Sequence, residues 1–169
     1  MAISKIGRNA TDTGISDSSD ATAITIDSSE RVLMPSQPRL NAIRGSSRLV
    51  AADASGTETL VPFVEQTDIG NNFASNTFTC PVDGSYFVSF FGMVINPDSY
   101  AFVTIKLNST SVVAAYEDDA AKTGSNNVAC SAIVVASAND TIKAFFGGGA
   151  TSSKLHEGAY GGISIQLIA

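Results

Sequence analysis

The sequence is poor in the residue types that build covalent frameworks and metal sites. Its 169 residues include two cysteines, one histidine and no tryptophan. Cys80 and Cys130 cannot make a disulfide framework, and they fall short of the four ligands that a structural zinc ion requires. Two interpretations of this pair stay open, a buried pair of free thiols and a single long-range bridge.

Charged residues are also scarce, at 15% of the chain, and the formal net charge is −6. Recognition of nucleic acid needs a concentrated basic surface, because the phosphates supply much of the affinity. The Lys and Arg residues of this chain are scattered, which excludes nucleic acid as a partner. A slight concentration of arginine at 39–48 is interpreted as a solvated strand edge, with an anion site as the alternative.

Long hydrophobic runs are missing as well. The longest, Tyr86–Ile95 and Val128–Ala138, are interrupted by Ser89 and Ser131 and are too short to span a bilayer. The first residues lack the continuous apolar stretch of a signal peptide. We therefore expect a soluble chain that is made in a cytoplasm and does not insert into a membrane.

No catalytic motif stands out. The sequence has no G-x-S-x-G, H-E-x-x-H, P-loop or dinucleotide-binding pattern. His156 lies beside Glu157 without a recognisable nucleophile, so we expect a loop histidine near a subunit contact. The acidic stretch Glu117, Asp118 and Asp119 is interpreted as a solvated loop, with a calcium site as the alternative. The sequence predicts neither an enzyme nor a bound cofactor.

The composition changes near residue 36. Residues 1–35 are dominated by Ser, Thr, Asp, Asn and Gly, and cannot bury enough surface to form a core. The stretch ATAITID, residues 21–27, alternates like a short strand, which is marginal alone and needs a partner chain or a larger body. We predict an extended N-terminal attachment segment over 1–35 and a folded head over 36–169.

The head has the pattern of an antiparallel β protein. Alternating, β-branched and aromatic stretches recur between turns rich in Gly, Asn, Asp and Pro, as in SYFVSFFGMVI, YAFVTIKLN, NDTIKAFF and YGGISIQLI. Such spacing predicts a β sandwich or jelly roll. Gly84 in PVDG is expected to take the positive φ of a tight turn. NNVACSAIVVAS is expected to be a fully buried strand.

The strand Tyr86–Ile95 carries bulky apolar groups on both of its faces. Side chains alternate along a strand, so Tyr86, Val88 and Phe90 can fill the core. The opposite face, with Phe87, Phe91 and Met93, would then be an exposed apolar stripe. Stripes of this kind mark subunit contacts, and we assign these three residues to a homotrimer interface.

The same region resembles a known family, the globular head of complement C1q and its tumour-necrosis-factor relatives. NNFASNTFTCPVDGSYFVSF matches the family's most recognisable stretch, IKLNST and ANDTIKAFF resemble later segments, and AYGGISIQLIA resembles the closing strand. The resemblance covers residues 38–169. The matching positions are Phe73, Phe78, Pro81, Gly84, Tyr86, Phe87, Tyr160, Gly162 and Ile165.

This resemblance implies a C1q/TNF-like antiparallel jelly-roll sandwich that forms trimers and acts as a binding or structural module. It places Phe73, Phe78 and Tyr160 in the core, beside Tyr86, Val88 and Phe90. It also places Pro81, Gly84, Asn139 and Gly162 in turns. Asn139 stands where the family usually has glycine, an exchange that left-handed geometry tolerates.

A second resemblance concerns the N-terminal segment. TGISDSSDATAITIDSSERV is similar to a stretch in fibre proteins of tailed bacteriophages. This implies a virion location, with residues 1–35 bound to other virion proteins and the head acting as a fibre tip or as a capsid decoration protein. A host-surface glycan or protein is a candidate partner. The alternative is a bacterial surface or secreted C1q-like adhesin.

Overall fold

The computed structural model describes most of the chain, in two units. The described residues are 15–16, 22–26, 28–29, 31–34, 36–51, 57–95, 100–118, 124–149 and 153–169. The chain divides into a unit of residues 1–37 and a unit of residues 38–169. Within the described ranges, no helix is long and apolar enough to cross a bilayer.

The first unit contains a small antiparallel sheet. Its strands are β1 (Ile15–Ser16), β2 (Thr22–Ile26) and β3 (Val32–Leu33), in that spatial order. Strand β2 coincides with the alternating stretch at 21–27. A sheet of two-, five- and two-residue strands is too small for independent stability.

The second unit consists of two sheets whose strand pairings are all antiparallel. The seven-stranded sheet, here called the front sheet, contains β4 (Arg39–Arg44), β5 (Leu49–Val50), β7 (Phe63–Ile69), β10 (Gly84–Ile95), β13 (Ser125–Ala136), β15 (Lys154–Leu155) and β16 (Gly161–Leu167). The six-stranded back sheet contains β6 (Thr59–Leu60), β8 (Phe73–Ala74), β9 (Thr77–Thr79), β11 (Tyr100–Leu107), β12 (Thr110–Asp118) and β14 (Thr141–Gly148).

Strand β10 organises the front sheet. One side of β10 pairs with β13 along its whole length, from Gly84 with Ala136 to Ile95 with Ser125. The other side pairs with β16 and then with β15. Strand β16 lies between β10 and β4, and β7 pairs with the far side of β4. The back sheet is built similarly around β14, between β11 on one side and β9 and β6 on the other.

The core lies between the two sheets and is apolar. The front sheet contributes Tyr86, Val88 and Phe90, each fully buried. The Tyr86 ring meets the ring of Phe78 edge-on, with centroids 6.0 Å apart. The Tyr86 hydroxyl donates to the carbonyl of Val82 at 2.8 Å, so its polar atom is satisfied. Burying each such side chain contributes on the order of 1.5–3 kcal/mol.

Tyr160 is the core residue that the sequence placed wrongly. Phe78, Tyr86, Val88 and Phe90 are buried and Phe73 packs against the core, but Tyr160 is 57% exposed. It ends a short 3-10 turn, Gly158–Tyr160, and its ring lies on that of His156 with centroids 4.2 Å apart. The turn precedes β16, so Tyr160 stands before the alternation of that strand begins.

Two of the four expected turn residues lie in strands instead. Asn139 has a φ of 73° in the turn before β14, and Pro81 lies in the bend before β10. Gly84 begins β10 and Gly162 lies within β16. Close packing explains both glycines: a Cβ at Gly84 would stand 2.5 Å from the carbonyl oxygen of Ala169, and one at Gly162 would stand 2.8 Å from that of Ala42.

Strand β13 also differs from expectation. The stretch NNVACSAIVVAS was expected to be fully buried, but buried and exposed residues alternate along β13. Val128 and Val134 face the core, whereas Ile133 is 63% and Val135 is 76% exposed. The outward positions towards the end of the strand, Ile133 and Val135, are apolar, so this part of the sequence lacks the polar alternation that reveals a half-buried strand.

Candidate assembly face

The outward face of β10 carries the apolar stripe expected from the sequence. Phe87 is 41% exposed and Phe91 is 50% exposed, while Met93 is half-buried. The neighbouring even-numbered residues point into the core, as the twofold period of a strand requires. The bulky apolar groups on the outward face are therefore not needed to fill the subunit's own core.

Strand β13 extends this stripe sideways. Ile133 pairs directly with Phe87, and Val135 pairs with Ser85. Directly opposed residues place their side chains on the same face of a sheet, about 5 Å apart. Phe87, Ile133 and Val135 thus lie side by side on one exposed face, and Phe91 lies on the same face about 13 Å further along β10, beyond Ser89. We call these four residues the apolar patch. The sequence does not predict the exposure of Ile133 and Val135, because its pattern predicts a fully buried strand there.

Gly162 supports the patch from the strand on the other side of β10. It pairs with Phe91, and a Cβ at position 162 would stand 3.1 Å from Cε1 of the Phe91 ring. The ring therefore lies over the space that a side chain would fill.

Strand β13 is the edge of the front sheet, since among the described residues it pairs only with β10. Its twelve residues, SNNVACSAIVVA, contain neither a charged residue nor proline. Soluble proteins usually protect long edge strands with charge, proline or a covering element, because an open edge invites pairing with another chain. An uncharged edge beside an apolar patch has the properties of a surface that another subunit covers.

A polar cluster lies at one end of the patch. The backbone N–H of His156 donates to the carbonyl of Met93 at 2.8 Å, which fixes His156 at the end of β10. Its Nδ1 lies 3.3 Å from Oε2 of Glu157, and the same oxygen accepts from Arg48 at 3.1 Å. Hydrogen bonds from its own backbone N–H and from Arg48 lower the pKa of Glu157. A polar border around an apolar centre is typical of protein interfaces.

Arg44 anchors this end of the sandwich from inside. Its side chain is 1% exposed and donates to three backbone carbonyls, those of His156 at 3.2 Å, Ser47 at 3.1 Å and Pro62. Burial lowers the pKa of Arg44 to about 10. The guanidinium remains charged at neutral pH and ties together three loops that surround the polar cluster.

The remaining sequence candidates do not form a reactive site in the described residues. Cys80 and Cys130 are free thiols, and burial raises the pKa of each to about 11. No group of three or more His, Cys, Asp and Glu side chains in the described ranges is placed to hold a metal ion. Glu117 and Asp118 end β12, but Asp119 lies outside the described residues.

The back sheet presents a different outward surface. Lys106 forms an ion pair with Glu58 and lies over the ring of Phe145, with Nζ 4.7 Å from the centroid. At the other end of β11, the rings of Tyr100 and Tyr116 stack with their centroids 5.3 Å apart. These outward residues interact with one another across the strands.

Comparison with solved structures shows which known fold the second unit has. No protein-family model matches the chain, and no curated protein is similar to it. Three solved structures superimpose over nearly their whole length. The globular domain of the zebrafish complement 1qA protein has a TM-score of 0.59 and 16% identity, over 79% of this chain and 98% of that chain.

The other two are tumour-necrosis-factor-like. Murine APRIL at pH 8.0 has a TM-score of 0.61 and 11% identity, over 78% of this chain and 99% of that chain. Eiger TNF from S. frugiperda has a TM-score of 0.62 and 8% identity, over 79% of this chain and 94% of that chain. These likenesses confirm that residues 38–169 have the antiparallel C1q/TNF-like jelly-roll fold.

Proposed function

We propose that this chain is a non-catalytic binding protein whose heads associate as a homotrimer through the apolar patch. The observation that carries the proposal is the exposure of Phe87, Phe91, Ile133 and Val135 on one face of the front sheet. Contiguous exposed apolar surface on a soluble domain marks an interaction site. The resemblance to the C1q family favours three subunits.

The energetics favour a closed ring over a pair. Burying four partly exposed apolar side chains contributes on the order of 4–8 kcal/mol. Association costs roughly 4–15 kcal/mol in lost translational and rotational freedom. One such contact is therefore marginal, whereas in a ring each subunit makes two. The patch and the unpaired edge of β13 are different surfaces, and contact between unlike surfaces generates a ring where the rotation between subunits closes, as it does about a threefold axis.

We further propose a location in a bacteriophage virion. The support is the resemblance of residues 13–32 to fibre proteins of tailed phages. Residues 1–35 would attach the chain to other virion proteins, and the three heads would form a knob that binds a host-surface glycan or protein. Three linked heads raise avidity through effective concentration. A fibre tip and a capsid decoration protein are both compatible with this architecture.

Light scattering on the purified chain tests the assembly. We expect three times the subunit mass at micromolar concentration. Ile133→Lys would place a charge in the patch and should give a folded monomer. Val112→Lys is a matched control, because Val112 is 39% exposed on the back sheet. A monomeric wild type, or a trimer that survives Ile133→Lys, would contradict the proposal.

Mass spectrometry of purified virions tests the location. We expect the chain in the particle, with dozens to hundreds of copies for a capsid decoration protein and a handful for a fibre tip. A chain that lacks residues 1–35 should still form trimers but should no longer enter particles. Absence from virions, with recovery from the bacterial surface, would instead identify an adhesin.

A further inference from the structure

The outward face of the back sheet carries three neighbouring aromatic rings, those of Tyr100, Phe102 and Tyr116, which we call the aromatic row. Tyr100 and Phe102 lie two residues apart on β11, and Tyr116 on β12 pairs directly with Phe102. Ala101 and Val103, which alternate with them on β11, are buried in the core, so the row lies on the side away from it. The proposed trimer forms through the front sheet, on the opposite side of the core, and leaves the row accessible.

Gly147 on β14 allows the Phe102 ring to lie down on the sheet. The two residues pair, and a Cβ at position 147 would stand 2.4, 2.8 and 3.1 Å from three atoms of that ring, Cζ, Cε1 and Cε2. A Cβ points out of the plane of a sheet, so the ring lies above the glycine. One face of the Phe102 ring is therefore turned towards the backbone, and the other is turned away from it.

The two tyrosine rings continue this arrangement. The centroid of the Tyr100 ring is 6.1 Å from that of Phe102 and 5.3 Å from that of Tyr116. The ring planes differ by 20° in the first pair and by 17° in the second. Tyr116 is 58% exposed, and the other two rings are partly exposed. The row therefore presents a nearly flat, uncharged aromatic surface.

The flatness of the row decides which ligand suits it. A methylated ammonium group is held by an aromatic cage, in which rings surround it on several sides, whereas these rings face nearly the same way. The side chains that anchor a protein partner fill pockets, which a flat surface does not provide. A sugar ring has an apolar C–H face and a rim of hydroxyls. Stacking that face on an aromatic ring removes apolar surface from water and leaves the hydroxyls hydrated.

We propose that the aromatic row binds a flat, uncharged glycan, a β-linked glucose chain of the cellulose type. In such a chain all the hydroxyls and linkages are equatorial, so both faces of every sugar ring carry C–H groups. The spacing of the aromatic rings is comparable to the length of one sugar unit, which lets successive units stack on Tyr116, Tyr100 and Phe102. The inference rests on the proposed binding role, for which it names a glycan class and a site, but not on the trimer or the virion.

Titration of the full chain with cellotetraose and with maltotetraose, followed by NMR or calorimetry, tests the inference. Both sugars consist of four glucose units, but the α linkage curves maltotetraose so that it cannot lie along the row. We expect saturable binding of cellotetraose and at least tenfold weaker binding of maltotetraose. Equal affinity for the two sugars, or no saturation with cellotetraose, would overturn the inference. Saturable binding of choline in place of cellotetraose would also overturn it and would identify a cation site.

Tyr116→Ala should weaken cellotetraose binding at least tenfold and leave the unfolding midpoint nearly unchanged, because Tyr116 is 58% exposed. Tyr116→Phe retains the ring and should bind like the wild type. Tyr160→Ala is the matched control, since Tyr160 is 57% exposed and lies outside the row. Unchanged binding by Tyr116→Ala, or an equal loss in Tyr160→Ala, would refute the assignment.

Light scattering of the same samples reports assembly separately. A monomer that binds cellotetraose would refute only the trimer. A trimer that does not bind it would refute only the glycan site.

Discussion

The ring of Phe91 lies over Gly162 on the neighbouring strand, with its Cε1 3.1 Å from the position that a Cβ at residue 162 would occupy. The same Cβ would stand 2.8 Å from the carbonyl oxygen of Ala42. One missing side chain therefore allows both the spacing of β16 against β4 and the position of an aromatic ring in the apolar patch.

Gly162→Ala should destabilise the fold by about 1–3 kcal/mol, the usual cost of overpacking. The backbone oxygen of Ala42 cannot yield easily, and the Phe91 ring must tilt outward. Urea unfolding measures the loss. Gly45→Ala is the control, since its Cβ would meet nothing closer than 3.9 Å. Equal stability of the two variants would show that the front sheet adjusts at no cost.

Phe91→Ala and Tyr86→Ala should differ in kind. Tyr86 is fully buried, so its truncation should cost the fold about 3–5 kcal/mol, visible in any unfolding measurement. Phe91 is half-exposed in the subunit, so its truncation should weaken association and make the trimer dissociate on dilution. A trimeric Phe91→Ala at nanomolar concentration, beside folded monomers of Tyr86→Ala, would invert the assignment of the two faces.

The turn before β14 should respond to acid. The Asn108 amide donates to Asp140 at 2.8 Å, and this bond, with one from the backbone N–H of Ser137, lowers the pKa of Asp140 below its usual 3.8. A depressed carboxyl pKa stabilises the fold above pH 3.8, and that stabilisation is lost as the pH falls through the folded-state pKa. In Asn108→Ala, NMR titration should find the pKa of Asp140 raised towards 3.8. An unchanged pKa would mean that the Asn108 bond does not form in solution.

The two thiols should be unreactive in the native protein. Burial raises the pKa of Cys80 and Cys130 from 9.0 to about 11, which lowers the thiolate fraction at pH 8 about a hundredfold. A raised acid pKa also costs stability as the pH rises above 9.0, where the unfolded chain ionises first. Thiol titration should be slow in the folded protein and fast in denaturant. Fast labelling would contradict the low reactivity of the two thiols, and a mass lower by two hydrogens would show that they are bonded to each other.

The fold could be predicted from the sequence because the residues of β10 and β11 alternate with the period of two that a strand requires. In β10 the two faces are distinct sets of bulky residues, and the surrounding motifs fix the order of the strands. The misplaced residues share a different cause. Gly84 and Gly162 are glycines because other chain segments approach them closely, and Tyr160 is exposed because it ends a 3-10 turn.

The candidate sites were less accessible to sequence reasoning. Ile133 and Val135 belong to the patch, but they are apolar although they are exposed. A strand with apolar residues on both faces has the sequence pattern of a fully buried strand. The arginine concentration at 39–48 predicted a solvated strand edge, with an anion site as the alternative, but Arg44 is buried and donates to three backbone carbonyls.

The position of β16 also limits when the head can fold during synthesis. Strand β4 comes first among the strands of the head, but in the front sheet it reaches β10 only through β16, the last of those strands. Until residues 161–167 have emerged from the ribosome, β4 and β7 can pair only with each other, and β10 has one unpaired side along most of its length. Pairing between such distant segments is slow, and the intermediates that precede it expose apolar surface and are prone to aggregate. We therefore expect nascent heads to fold late and all at once, and to depend on chaperones until the last strand has been made.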